Sequence, residues 1–582
     1  MVYFSVIWTK HILDSLDIQI LTGQMENGMG NKKNLSRNFA MQATILAAAS
    51  IISKIIGMLY NIPFNNILDT EGNGYYGTAQ AIYYILLLVA TFSIPAAVSK
   101  IMAERIEKGE YRNVKRIFNV SMIYALIVGG IVAIFTYIFA PALVKETSNA
   151  VLSLRILTPT IFLSGFSSVY RGYYQAYGNM VPTSISQVIE QVFNAIFSIV
   201  MALLFIRLAS AAGLADQVAK YGAAGGTVGT GVGVLAGLVY MMILFRRDKK
   251  ELNAKIQADT ASHLMSYKEV TKLLLMIATP IILSSVIYNI NVSLDMKIFY
   301  RIMKSMGYVQ KEYAAQYGLY SRYYLVLANI PIAMAAAVSS AVIPRVSSAY
   351  ATNNKQECNR KIGQSMQLSM VLAAPCAVGL AVLSKPIVRL LYWRLTEEET
   401  HIVAMLLIMG GISIVLYGIS SVTNGVLQGI GKVNIPMFSA AIALVIHLFL
   451  LVPLVRFTQL GVYSMIFATA FYSVIVVVLN QFAVKKYLGY RLDWKQVIWI
   501  PFASAMIMGV VAILLYQGFH LIFGKITDVR VANGIAVLLS VCLAALTYFA
   551  AMIKLGGYTR ERLETFPKGA LLARIAEKLH LI

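Results

Sequence analysis

Cysteine is almost missing from this 582-residue chain: Cys358, Cys376 and Cys542 are scattered and odd in number. They form neither a disulfide framework nor a metal-ligand spacing, so inert buried thiols are expected. Charge is sparse as well, with Asp, Glu, Lys and Arg at 13% against 58% hydrophobic residues and a mean hydropathy of +0.69. So little charge cannot coat a soluble fold of this size, and the apolar residues arrive in bilayer-length runs. Signatures of catalysis are also missing. There is no Walker A loop, HExxH, GxSxG or His/Cys cluster, so no enzyme, cofactor or metal is expected. The glycine run Gly222–Gly237 lacks a nucleotide-loop lysine and a preceding strand, and reads as close helix packing.

Acidic residues are the scarcer sign, 26 against 49 Lys and Arg, for a net charge of +23. The positive charge sits in alternate loops between apolar runs, which reports membrane orientation and argues against a nucleic-acid partner. An all-α, polytopic membrane protein of about 14 transmembrane helices is predicted, spanning from near residue 39 to residue 554. The loop bias places the N-terminus and C-terminus in the cytoplasm. Residues 1–34 read as a cytoplasmic or interfacial extension. A first lobe of helices 1–6 is expected over 35–250, a cytoplasmic loop over 251–269, a second lobe of helices 7–12 over 270–486, and helices 13–14 over 487–555. The tail, 556–582, is basic and amphipathic, suited to anionic inner-leaflet lipids.

One stretch occurs twice. Ser167–Pro182 reads SSVYRGYYQAYGNMVP and Ser420–Pro436 reads SSVTNGVLQGIGKVNIP, pairing Ser167/Ser420, Gly172/Gly425 and Gly178/Gly431 at an offset of 253. Each copy closes one apolar run and opens the next. Tyr76-Gly77 with Tyr83-Tyr84 likewise resembles Tyr317-Gly318 with Tyr323-Tyr324. Two similar six-helix halves follow.

Ionisable and polar groups inside apolar segments are costly and face a cavity or a partner. Lys54, Arg155, Arg171 and Arg322 are the cations. Glu190 lies with Gln187, Gln191 and Asn194 in one helical stripe, and Asn291 shares a face with Asp295. Each has a structural alternative. Lys54 can snorkel to an interface, Glu190 can pair with Arg171 or Arg155 to join two helices, and Asp295 can be an end-of-helix residue. The tyrosines (Tyr75, Tyr76, Tyr83, Tyr84, Tyr323, Tyr324) read as interface belts. Lys54 and Arg322 on facing sides of a cleft would suit an anionic pyrophosphate headgroup.

The stretches SKIIGMLYNIPF, FSIPAAVSKIMAERIEKGEY and VYRGYYQAYGNMVPTSISQVIEQ resemble the polysaccharide-flippase branch of the multidrug/oligosaccharidyl-lipid/polysaccharide exporter superfamily, closest to its stage V sporulation protein B group with MurJ-type lipid II flippases. The resemblance implies two six-helix lobes in a V around a central cavity, plus two C-terminal helices lining a lipid groove. It implies a flippase of the bacterial plasma membrane, moving an undecaprenyl-pyrophosphate-linked saccharide outward by alternating access, with lipid II the leading substrate. Lys54 falls where the family's first helix carries an arginine, and Arg322 on its eighth-helix cavity arginine. A second first-helix arginine falls at Tyr60, and an acidic residue opening the second helix falls near Gly74. Asp295 lies near a seventh-helix acidic residue that binds sodium in some members, whereas the eleventh segment offers Ser439 and His447. Headgroup binding is thus expected at Lys54, Arg322 and Arg171, and coupling to a monovalent cation or the membrane potential among Glu190, Gln187, Gln191, Asn291 and Asp295. Two other readings stand beside this: a cation-coupled multidrug exporter using Glu190, and a non-transporting scaffold that recruits cell-wall synthesis enzymes.

Overall fold

The computed structural model describes residues 49, 52–260, 263–558, 574, 577 and 578, and no strand occurs among them. The expectations for residues 1–34 and for most of the 556–582 tail lie outside the described residues. Helix α1 is described over residues 52–67, the C-terminal part of the first expected span. Thirteen further segments are long and apolar enough to cross a membrane. They are α2 (Thr70–Glu107), α3 (Tyr111–Leu143), α4 (Ser148–Ala176), α5 (Val181–Ala211), α6 (Ala215–Gln257), α7 (Tyr267–Ser305), α8 (Gln310–Ala351), α9 (Lys355–Val382), α10 (Glu397–Gly429), α11 (Asn434–Phe457), α12 (Tyr463–Leu488), α13 (Lys495–Phe523) and α14 (Val529–Lys554). A short helix, Ser384–Leu391, joins α9 to α10. The protein is therefore a multi-pass membrane protein.

The repeated corner has one geometry in both places. Gly178 and Gly431 end α4 and α10 at φ +72° and +76°. That left-handed conformation closes a helix at least cost when the residue is glycine. Their partners Gly172 and Gly425 both lie where another helix presses in: a Cβ on Gly172 would meet Val98 of α2 at 2.9 Å, and one on Gly425 would meet the Ser339 carbonyl of α8 at 2.9 Å. The motif thus turns the chain and docks the fourth segment on the second, and again the tenth on the eighth.

The glycine run of α6 packs as its spacing predicts. Gly225, Gly229, Gly233 and Gly237 recur every fourth residue and face Met201, Ser198, Glu190 and Ser186 of α5. Stripped of side chains, that face lets the two backbones approach closely, and Ser198 Oγ donates to the Gly226 carbonyl at 2.9 Å.

Three apolar clusters place the opening. One joins the C-terminal part of α2 to α3, α4, the later turns of α6 and the start of α7. Another joins Val342, Val346 and Ala349 of α8 to α9, α10 and the C-terminal segments. The third spans both halves, bringing Phe64, Tyr75 and Tyr76 together with Tyr300, Tyr313, Tyr317 and Tyr323. At the other end, Leu325–Ala351 packs on α9 and α10 rather than on the first half. Apart from α7, whose start packs on α2 and α3, the halves meet at the end where α2 crosses α8, and Leu325–Ala351 leaves the first half at the other.

The expected interface belts are overturned here. Tyr75, Tyr76, Tyr83, Tyr323 and Tyr324 are buried between helices, and of the six only Tyr84 is exposed.

Candidate functional site

The halves cross where α2 meets α8, at the residues the sequence repeats. Gly77 faces Tyr317 and Ser321, while a Cβ on Gly74 would overlap the Ala314 carbonyl and one on Gly318 the Thr70 carbonyl. Here the position where the family resemblance looks for an acid is a contact with no room for a side chain. Hydrogen bonds tie the crossing. Thr78 Oγ1 and the Tyr300 hydroxyl are 2.8 Å apart, Ser293 Oγ donates to the Ala81 carbonyl at 2.8 Å, and Thr70 Oγ1 donates to Glu399 Oε1 at 2.8 Å.

Arg322 sits just inside this closure. It lies in a π turn, Leu319–Tyr324, a local widening that takes residues out of the regular α register and often marks a functional position. Its Nη2 donates to Asn61 Oδ1 and, at 3.3 Å, to Asn65 Oδ1. The guanidinium lies 4.6 Å from the Tyr76 ring centroid and 5.9 Å from that of Phe64, both on the first half. Its Nε is buried without a partner.

Lys54 stands seven residues before Asn61 on α1, about 10 Å along the axis at 1.5 Å per residue. Lys54, Asn61 and Asn65 fall within 40° of one another on a helical wheel, so Lys54 points toward the same cleft. It is exposed. Arg322 at the floor and Lys54 two turns away form a cationic wall.

The α5 stripe lies against α1 and α4. Gln191 faces Gly57, Asn194 Nδ2 donates to the Tyr60 hydroxyl at 3.2 Å, and Gln187 Oε1 is buried without a partner. Tyr60, at the site of the second family arginine, is therefore a neutral acceptor. Glu190 Oε2 accepts from Arg171 Nη2 at 2.6 Å, and Arg171 Nε donates to Ser186 Oγ at 3.1 Å. Arg171 and Glu190 are tied together between α4 and α5, the helix-joining arrangement named as the structural alternative.

Asp295 is not at a helix end. Helix α7 runs ten residues further, to Ser305. Asp295 Oδ1 lies 2.6 Å from His447 Nε2 on α11, with both residues at most 3% exposed. Asn291, one turn earlier, is half-buried. The structure thus brings together Arg171 with Glu190, and Asp295 with His447, while Arg322 meets Asn61 and Asn65 about two to three turns beyond Lys54 on α1. It adds Asn61 and Asn65, which sequence reasoning missed although they continue the Lys54 face at i+7 and i+11. Among the described residues no group of three or more His, Cys, Asp or Glu could hold a metal ion.

The chain is a multi-pass helical membrane protein in which a half-buried arginine, Arg322, meets α1 close to the crossing of α2 and α8. It belongs to the polysaccharide biosynthesis protein family, which matches residues 39–350; the MatE family also matches residues 321–452. It is similar to the lipid II flippase MurJ of Bacillus subtilis (strain 168), 26% identical over 529 residues, covering 88% of this chain and 94% of that one. Stage V sporulation protein B of the same organism is 24% identical over 524 residues, covering 89% and 96%. Among solved structures, lipid II flippase MurJ in an inward closed conformation superposes with a TM-score of 0.60 at 17% identity, covering 87% of this chain and 98% of that one. An inward-facing multidrug resistance MATE transporter gives 0.60 at 16% identity, covering 75% and 94%. At these identities the superpositions speak to the fold.

Proposed function

We propose that this protein flips a lipid-linked saccharide bearing a pyrophosphate, lipid II being the leading substrate, from the inner to the outer leaflet of a bacterial plasma membrane by alternating access. The observation that carries the reading is the cationic wall: Arg322 at the floor of the cleft with a buried, unpartnered Nε, and Lys54 two turns away on the facing helix. Two fixed positive charges in a cleft suit a pyrophosphate, whose oxygens take charge-assisted hydrogen bonds from both. They suit a cationic drug poorly, and Glu190, the residue an exporter would use, is already paired with Arg171.

In this reading, helices 1–6 (35–250) and 7–12 (270–486) move as two lobes, and helices 13–14 (487–555) flank the path of the lipid tail. The positive loops keep both termini in the cytoplasm, where the basic tail meets anionic lipids and cell-wall synthesis enzymes. Asp295 with His447 is the cation-responsive pair in place of Glu190.

The test is surface exposure of lipid II. The protein is expressed in cells depleted of their own lipid II flippases, and a membrane-impermeant toxin that cleaves lipid II is added. Cleavage is expected to return, and to be lost at least tenfold in Lys54→Ala and in Arg322→Ala at equal membrane abundance. Cleavage undiminished in the double variant would sink the headgroup assignment. No return of cleavage would point to another polyprenyl-linked glycan.

A further inference from the structure

Arg322 does more than face the cleft, because the bonds it makes join the two halves. Asn61 and Asn65 of α1 both accept from its Nη2. Asn65 answers in the other direction, its Nδ2 donating to the Arg322 carbonyl at 2.6 Å. The Asn65 carbonyl then accepts from the Tyr323 hydroxyl at 2.9 Å and from Asn73 Nδ2 at 2.8 Å, and Asn73 Nδ2 lies 3.0 Å from that same hydroxyl. The π turn helps explain why this carbonyl can accept a side chain, since a widened turn leaves backbone groups outside the usual ladder. Side chain, carbonyl and neighbouring tyrosine of the second half are thus held by two asparagines of α1 and one of α2.

We infer that Asn61 and Asn65 are positioning residues for Arg322 and form a latch that holds this end of the protein shut, and that an oxyanion taking Arg322 releases it. The release step rests on the headgroup reading above; the latch does not. The competition follows from guanidinium geometry. A two-pronged contact with phosphate along the side edge uses Nε together with Nη2. Nε is buried and unpartnered, while Nη2 is where the asparagines sit. An oxyanion that completes the fork must therefore displace a neutral amide oxygen, exchanging an ion–dipole bond for one between opposite full charges. Binding of the headgroup and loosening of the closure are then one event at one nitrogen.

The experiment measures the distance across the shut end. Spin labels are placed at exposed Lys145 and Thr458 in full-length protein whose three native cysteines are replaced, reconstituted in lipid nanodiscs. The double variant Asn61→Ala/Asn65→Ala is expected to raise the long-distance population about tenfold without ligand, since two hydrogen bonds to a charged group are lost. Asn61→Asp, which strengthens one acceptor and leaves the Asn65 amide donating to the Arg322 carbonyl, is expected to keep the short distance. A merely structural role would lower the thermal midpoint and leave the distances of folded protein unchanged, so an unchanged distribution in the folded alanine variant overturns the latch. Inorganic pyrophosphate is the second probe, with binding followed by calorimetry. Lengthening on binding in the unmodified protein, absent in Arg322→Ala, supports release. Binding without lengthening overturns release. Absence of binding overturns both release and the headgroup reading, leaving the latch to stand or fall on the asparagine variants.

Discussion

Two arginines inside apolar segments have opposite fates. Arg171 spends its guanidinium on Glu190 and Ser186, whereas Arg322 keeps a donor free beside the cleft. Their side chains differ little in sequence context, so the sequence shows that both are costly but not which is satisfied. The Arg171–Glu190 pair is largely buried, with side-chain exposures of 16% and 24%. Removing one partner strands the other, so Arg171→Ala is expected to lower stability by about 2 kcal/mol, with Arg171→Met/Glu190→Met recovering most of it in a thermal double-mutant cycle. Equal losses in single and double variants would refute the pairing argument. At Lys54 the prediction runs the other way. Lys54→Arg restores a fork at a family arginine position and is expected to keep or raise lipid II exposure, while Lys54→Gln abolishes it. Activity retained in Lys54→Gln would show that charge is not what matters there. The resemblance singles out Asp295 and His447 separately, but their direct contact, between helices 152 residues apart in the chain, is revealed only by folding.

Elements were easier to read than contacts. Hydrophobic runs fix where helices lie, and the repeated corner fixes how the fourth and tenth segments turn, because glycine at a left-handed C-cap has a local cause. The glycine run of α6 was legible for the same reason: small residues every four positions make a flat face wherever the partner lies. The tyrosines misled because amphipathic rings suit both a membrane interface and a polar helix crossing, and composition cannot separate the two. The crossing itself is testable. Gly74→Leu puts a side chain where the Ala314 carbonyl already sits, and is expected to keep the labelled end open and to abolish lipid II exposure while the protein remains in the membrane. A short distance persisting in that variant would show that the crossing yields elsewhere. Gly518, exposed on α13 with open space where a Cβ would sit, is the control position.

At the scale of the molecule, the shut end carries carboxylates from both halves. Asp69 caps α2 by accepting from the Gly72 amide at 2.7 Å. Partial desolvation, with lesser contributions from Glu71 and Glu399, raises its carboxyl to about 6, against the lowering effects of the Gly72 amide and Lys311. An acid with a raised value binds its proton more tightly in this closed arrangement than in water. Closure is therefore expected to gain as pH falls through about 6, and to lose that gain above it. The side chain is exposed to solvent, so the effect is modest. The label distance followed between pH 4.5 and 7.5 checks this, and Asp69→Asn should flatten the profile. A titration unchanged by that substitution assigns the dependence elsewhere.

The tyrosine-rich seal between the halves has a consequence for what happens when it parts. A joint of leucine and phenylalanine would leave bare hydrocarbon facing the aqueous path, and re-closure would be driven hard by expulsion of water. Phenol rings pack dry when pressed together, yet their hydroxyls accept water once separated. In the flipping cycle proposed here, Tyr75, Tyr76, Tyr300, Tyr313, Tyr317 and Tyr323 therefore make a joint that is watertight when shut and wettable when open. The two states remain close in free energy, and the vestibule between them offers a surface that sugar hydroxyls can cross without drying it.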